Sequence, residues 1–147
     1  MLAKRRFRQV VLDTWLGDIN SFAVDIMVTA ADYKLSDGQT RARSNVMPFP
    51  LQRDKDGLDL AQLSQAYAKV LDDFAATGLR HISFPAVDFE FDSIPEKEIA
   101  TTTWRAIRVW LEGKSCGELG RMRITLVLSD NKDYQNYTAA LLEQLPE

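Results

Sequence analysis

The segment VDFEFDS at residues 87–93 alternates acidic and apolar side chains, with carboxylates at Asp88, Glu90 and Asp92. In an extended backbone alternate residues share one face. The three carboxylates can therefore converge as a cation site or as a general acid and base pair. A solvated acidic loop at a strand end is the competing reading. A second polar set brackets the apolar run VDIMVTAA: Gly17, Asp18 and Ile19 precede it, and Asp32 and Gly38 follow it. That is the layout of a buried strand delivering polar groups to its carboxyl end, where open α/β sheets keep their crevices. Trp15 and Phe89 fall near other strand ends, placed to pack against a base or a partner side chain. His81 is the sole histidine and Cys116 the sole cysteine. These counts exclude a histidine-based metal site, a cysteine-cluster zinc site and an intramolecular disulfide, and they leave His81 a structural or solvated role at a strand start.

These groups need a sheet to hold them, and the composition permits one. Of the 147 residues, 46% are hydrophobic and 27% charged, the balance of a globular chain of one domain spanning 1–147. The net charge of -3 removes the general attraction to nucleic acid, so that partner is not expected. The basic run KRRFR at residues 4–8 reads as a solvated end before the first strand. The sequence has no run long enough to span a bilayer, no signal-peptide pattern, and cysteine usage that fits a reducing compartment, which points to the cytoplasm.

Apolar patterning predicts strands at Phe7–Trp15, Ala23–Ala31, His81–Val87 and Met122–Asp130, with Asn45–Leu51 demoted to an edge piece by Pro48 and Pro50. The runs Ala23–Ala31 and His81–Val87 are nearly unbroken and are expected as adjacent buried strands. Helical spacing links Leu60, Leu63, Tyr67, Val70, Leu71 and Phe74, with Gly78 as terminator. Ser93 and Glu96 have capping-box spacing, with Pro95 in the first turn, ahead of Ile99, Thr103, Ile107, Trp110 and Leu111. Tyr134, Tyr137, Leu141 and Leu145 mark a last helix, and Trp104, Trp110, Tyr134 and Tyr137 are expected in the core or at an interface rather than as stacking platforms. Loops are expected at Arg53–Gly57 and Gly113–Gly120. The class is α/β, a three-layer α/β/α arrangement with a mixed, mostly parallel central sheet of about five or six strands.

The ordered pieces GDINSFAVDIMVTAA, LAQLSQAYAKVLDDFAATGLRHISFPAV, IPEKEIATTTWRAIRVWL and ITLVLSDNKDYQNYTAAL resemble the macro domain, a family of α/β modules that bind ADP-ribose and in some branches hydrolyse its conjugates. The resemblance places Asp18 and Ile19 at the adenine end, with Asp18 accepting from the adenine amino group; a capping role for Asp18 on a short helix is the alternative. The family's Asn-Ala-Ala-Asn motif falls on Thr29, Ala30, Ala31 and Asp32. An ionised aspartate at position 32 only accepts hydrogen bonds, where asparagine also donates. Gly38 is the remnant of a glycine run that wraps phosphates in the family. The second phosphate loop falls on Asp88, Phe89 and Asp92, where carboxylates oppose a pyrophosphate.

The resemblance implies a divergent, shortened member with a degenerate pocket: a non-catalytic binding module that takes ADP-ribose or a related nucleotide weakly, or a protein partner. The alternative is an ADP-ribosyl hydrolase with a remodelled active site in which Asp32 and the acidic loop position water. A structural subunit of a larger assembly is a third reading. No cofactor, no metal and no membrane partner is expected.

Overall fold

The apolar runs assemble into a six-stranded sheet in the computed structural model, which describes residues 3–18, 24–30, 46–49, 60–86, 95–114 and 116–145. The strands are β1 (Ala3–Phe7), β2 (Val10–Leu16), β3 (Ile26–Ala30), β4 (Val46–Phe49), β5 (His81–Pro85) and β6 (Arg123–Leu128). Their order is β1-β2-β6-β5-β3-β4, with β1 antiparallel to β2 and all other neighbours parallel. The two unbroken apolar runs are indeed neighbours: Ile26 lies beside Ile82 and Met27 beside Ser83, all four buried. The Pro48 strand lies at the edge, where a missing N–H is tolerated.

Side-chain alternation divides the sheet into two unlike faces. Leu12, Ile124, Ile82 and Ile26 are aligned across four strands and belong to the main core. On the other face the aligned row is Asp13, Thr125, Ser83 and Met27, three of them polar and all buried. Against the apolar face pack α1 (Leu60–Thr77), α2 (Glu96–Glu112) and α4 (Asn131–Gln144), with α2 between the other two. Among the described residues the helical layer is on this face.

Trp104, Trp110 and Tyr137 are buried as expected, Tyr134 packs half-buried against the core, and the indole N–H groups are satisfied as burial requires. Trp104 donates from its indole to the Tyr137 carbonyl at 2.8 Å, tying α2 to α4, and Trp110 donates to the Asp72 carboxylate at 2.8 Å, tying α2 to α1. Tyr67 lies between Phe49 and Phe84, with ring centroids 4.9 and 5.2 Å away, and its hydroxyl accepts from Thr103.

Four local readings change. The run Phe7–Trp15 is two strands, folded back at Arg8 and Gln9, where Arg8 takes a φ of 56°. The basic run is accordingly the edge strand β1 and its turn rather than a solvated end. The Gly113–Gly120 segment contains a short helix, α3 (Cys116–Leu119). At the start of α2 the cap position is Pro95, without a side-chain cap; its carbonyl accepts from the Glu98 and Ile99 N–H groups, while Ser93 lies outside the described residues. Arg53–Gly57 lies outside them too. No helix among the described residues is long and apolar enough to cross a membrane.

Candidate functional site

Five parallel strands end on one edge of the sheet, and chain direction there follows the strand order. β3 is followed by β4, farther out, and β5 by β6, farther in, so the order reverses between β3 and β5. A sheet that reverses in this way opens a crevice at the carboxyl ends of the two strands. Asp18 stands at this edge. The Gly17 N–H donates to the Leu128 carbonyl at 2.8 Å, extending the β2–β6 pairing by one residue, and the chain passes so close to Trp15 that a side chain at position 17 would meet its ring at 3.3 Å. Glycine thus lets β2 turn over the Trp15 ring, and Asp18 follows it, exposed.

Thr29 lies in β3 one residue before the strand ends, alongside Pro48. Between β2 and β3 stand β6 and β5, so three inter-strand steps, roughly 14 Å, separate the strands that carry Asp18 and Thr29. Ile19, Asp32, Gly38, Asp88, Phe89 and Asp92 lie outside the described residues, as does Glu90 of the alternating acids. At the same edge Asp130 accepts from the Lys132 N–H at 2.8 Å and caps α4, while Lys132 pairs with Glu96 at 3.5 Å, joining the first turns of α4 and α2. Among the described residues no group of three His, Cys, Asp or Glu side chains is placed to hold a metal ion.

The opposite edge, where the parallel strands begin, carries a hydrogen-bonded network that the sequence signalled only by an acid within an apolar strand. Asp13 is 2% exposed; it accepts from Arg123 at 2.5 and 3.0 Å and from the Thr125 hydroxyl at 2.5 Å. The same hydroxyl meets His81 Nε2 at 2.9 Å. Because Thr125 spends its hydrogen on Asp13, it accepts from His81, and Nε2 carries the hydrogen. Asp25 accepts from the His81 and Arg80 N–H groups at 3.0 and 3.1 Å; those bonds lower its pKa below the ordinary carboxylate value. The network bonds three adjacent strands side by side. It accounts for His81 as a structural residue.

No family profile and no curated protein sequence matches the chain. Solved structures do match it. The Oceanobacillus iheyensis macrodomain with ADP superposes with a TM-score of 0.74 at 16% identity, covering 97% of this chain and 96% of that one. The Trypanosoma brucei macrodomain gives 0.64 at 15% identity over 91% of this chain and 67% of that one. The macro domain of ganglioside induced differentiation associated protein 2 gives 0.65 at 16% identity, covering 95% and 85%. With the likeness extending over nearly its whole length, the chain has the macrodomain fold.

Proposed function

We propose that this chain is a single macro-like domain over 1–147 and a non-catalytic binding module, whose crevice at the carboxyl ends of β3 and β5 takes ADP-ribose or a related nucleotide weakly. The observation that carries the reading is the strand reversal between β3 and β5, in a fold whose solved examples include macrodomains with ADP and with ADPR. A ligand touching both Asp18 and Thr29 has to bridge roughly three inter-strand spacings, which favours an elongated ligand such as a dinucleotide-like diphosphate over a single base or sugar. We assign Asp18 and Ile19 to the adenine end, Thr29, Asp32 and Gly38 to the ribose and first phosphate wall, and Asp88, Phe89 and Asp92 to the second phosphate loop.

Weakness follows from chemistry in the sequence. Gly38 is the one glycine between residues 18 and 56, leaving few positions where main-chain N–H groups can wrap a phosphate closely. Carboxylates at 88 and 92 add like charge opposite a pyrophosphate. The lone cysteine supports a cytoplasmic setting.

Calorimetry on three proteins tests the assignment. Asp18→Ala is expected to weaken ADP-ribose binding by about 1.5–3 kcal/mol, the worth of a hydrogen bond to a charged group. Asp88→Asn with Asp92→Asn is expected to strengthen it, because two negative charges leave the phosphate wall. If the double variant stays folded and binds no better than the parent, charge is not what weakens the site. Turnover of an ADP-ribose conjugate by the parent protein would instead establish the hydrolase reading.

A further inference from the structure

The basic run at residues 4–8 forms an edge strand whose exposed cations point to a partner separate from any crevice ligand. Among the described residues β1 has a neighbour, β2, on one side alone, so alternate residues direct main-chain N–H and C=O groups away from the sheet. Lys4 and Arg6 alternate along it, share one face, and are both exposed. Other cations nearby are engaged: Arg123 by Asp13, Arg8 by the Lys114 carbonyl at 2.6 Å and the Phe7 ring at 5.2 Å, and Arg5 by the Lys4 carbonyl at 3.1 Å. Lys4 and Arg6 form no ion pair among the described residues.

We propose that β1 is a docking edge for an extended acidic peptide, which adds to the sheet as a further strand and places alternate carboxylates against Lys4 and Arg6. Two-residue spacing along a strand is about 6.8 Å, so acids at alternate peptide positions repeat at the spacing of Lys4 and Arg6. The ladder supplies affinity and the alternate charges supply selection. A second copy of β1 is a poor occupant because it would set cations against cations. Nucleic acid fits less well: its affinity scales with the number of phosphates neutralised, two cations neutralise few, and its backbone cannot use the open ladder.

Fluorescence anisotropy with a labelled peptide of alternating Glu and Val tests the proposal on the full chain. The peptide is expected to bind, and Lys4→Glu with Arg6→Glu is expected to raise its Kd at least about tenfold while accepting the matching Lys-Val peptide. Both substituted side chains are exposed, so an unchanged melting temperature verifies the fold. A peptide with proline at its central position, which cannot complete the ladder, is expected to lose at least about tenfold. The proposal is overturned if the Glu-Val peptide fails to bind at about 1 mM, if the proline peptide binds equally well, if the double variant binds undiminished, or if oligodeoxythymidine of equal charge binds more tightly.

Discussion

His81 is held by groups that pull its proton in opposite directions. Burial, first, and then the Arg123 guanidinium lower its pKa below the ordinary value, while Asp13 and Asp25 act to raise it. The net shift is downward. An unfolded chain takes up this proton near pH 6.5, whereas the folded chain takes it up at lower pH. The unfolded state therefore binds more protons in the intervening window, and stability falls as pH drops below about 6.5. Asp25 and Asp72, also lowered, remain ionised there; their contribution is lost only in more acid solution. Urea titrations from pH 7.5 downward are expected to show His81→Gln losing less stability than the parent, because glutamine can still donate to Thr125 but does not titrate. Equal losses would mean that His81 is not the group responsible. The structural role of His81 was legible from its position at a strand start. Its link to Asp13 through Thr125 was not, because it depends on the registers of β6 with β5 and with β2, and Thr125 lies 44 residues from His81 and 112 from Asp13, separations that no local pattern encodes.

Elements were legible where side-chain period and punctuation agreed. In α1 the apolar period runs to Phe74, and Gly78 follows the helix with a φ of 76° and no atom within 4 Å of the point a Cβ would occupy. Its cost on substitution is thus conformational rather than steric. Gly78→Ala is expected to destabilise by about 1–2 kcal/mol. Gly113→Ala is expected to be neutral or stabilising by up to about 1 kcal/mol, since Gly113 ends α2 with a φ of -80° that alanine adopts freely. Chemical denaturation of the two variants checks this contrast, and equal effects would contradict it. The hairpin at Arg8 and Gln9 escaped the sequence reading because it lacks the glycine or asparagine that marks most tight turns, an arginine taking the left-handed conformation instead. The capping-box spacing of Ser93 and Glu96 misled for a related reason: spacing permits a cap, but the backbone placed Pro95 at the cap position.

At the scale of the molecule, long apolar runs made the parallel sheet legible, since strands buried on both faces leave that pattern. The carboxyl edge of the parallel strands was legible as a location, and Asp18 does stand on the edge where those strands end. The chemistry of the phosphate walls depends on loop backbone conformation, and hydrophobic periodicity carries no information about that. Asp32, Gly38, Asp88 and Asp92 therefore rest on resemblance, whereas Asp18 also has a position in the fold. Titration with ADP-ribose followed by backbone amide NMR is the sharpest check on a weak nucleotide crevice at this edge. Fast-exchange shifts are expected at Gly17, Asp18 and Ala86, on the carboxyl edge, saturating with a Kd weaker than about 100 μM. Low-micromolar saturation would contradict a weakened phosphate site, and an absence of shifts on that edge at millimolar ligand would contradict nucleotide binding there.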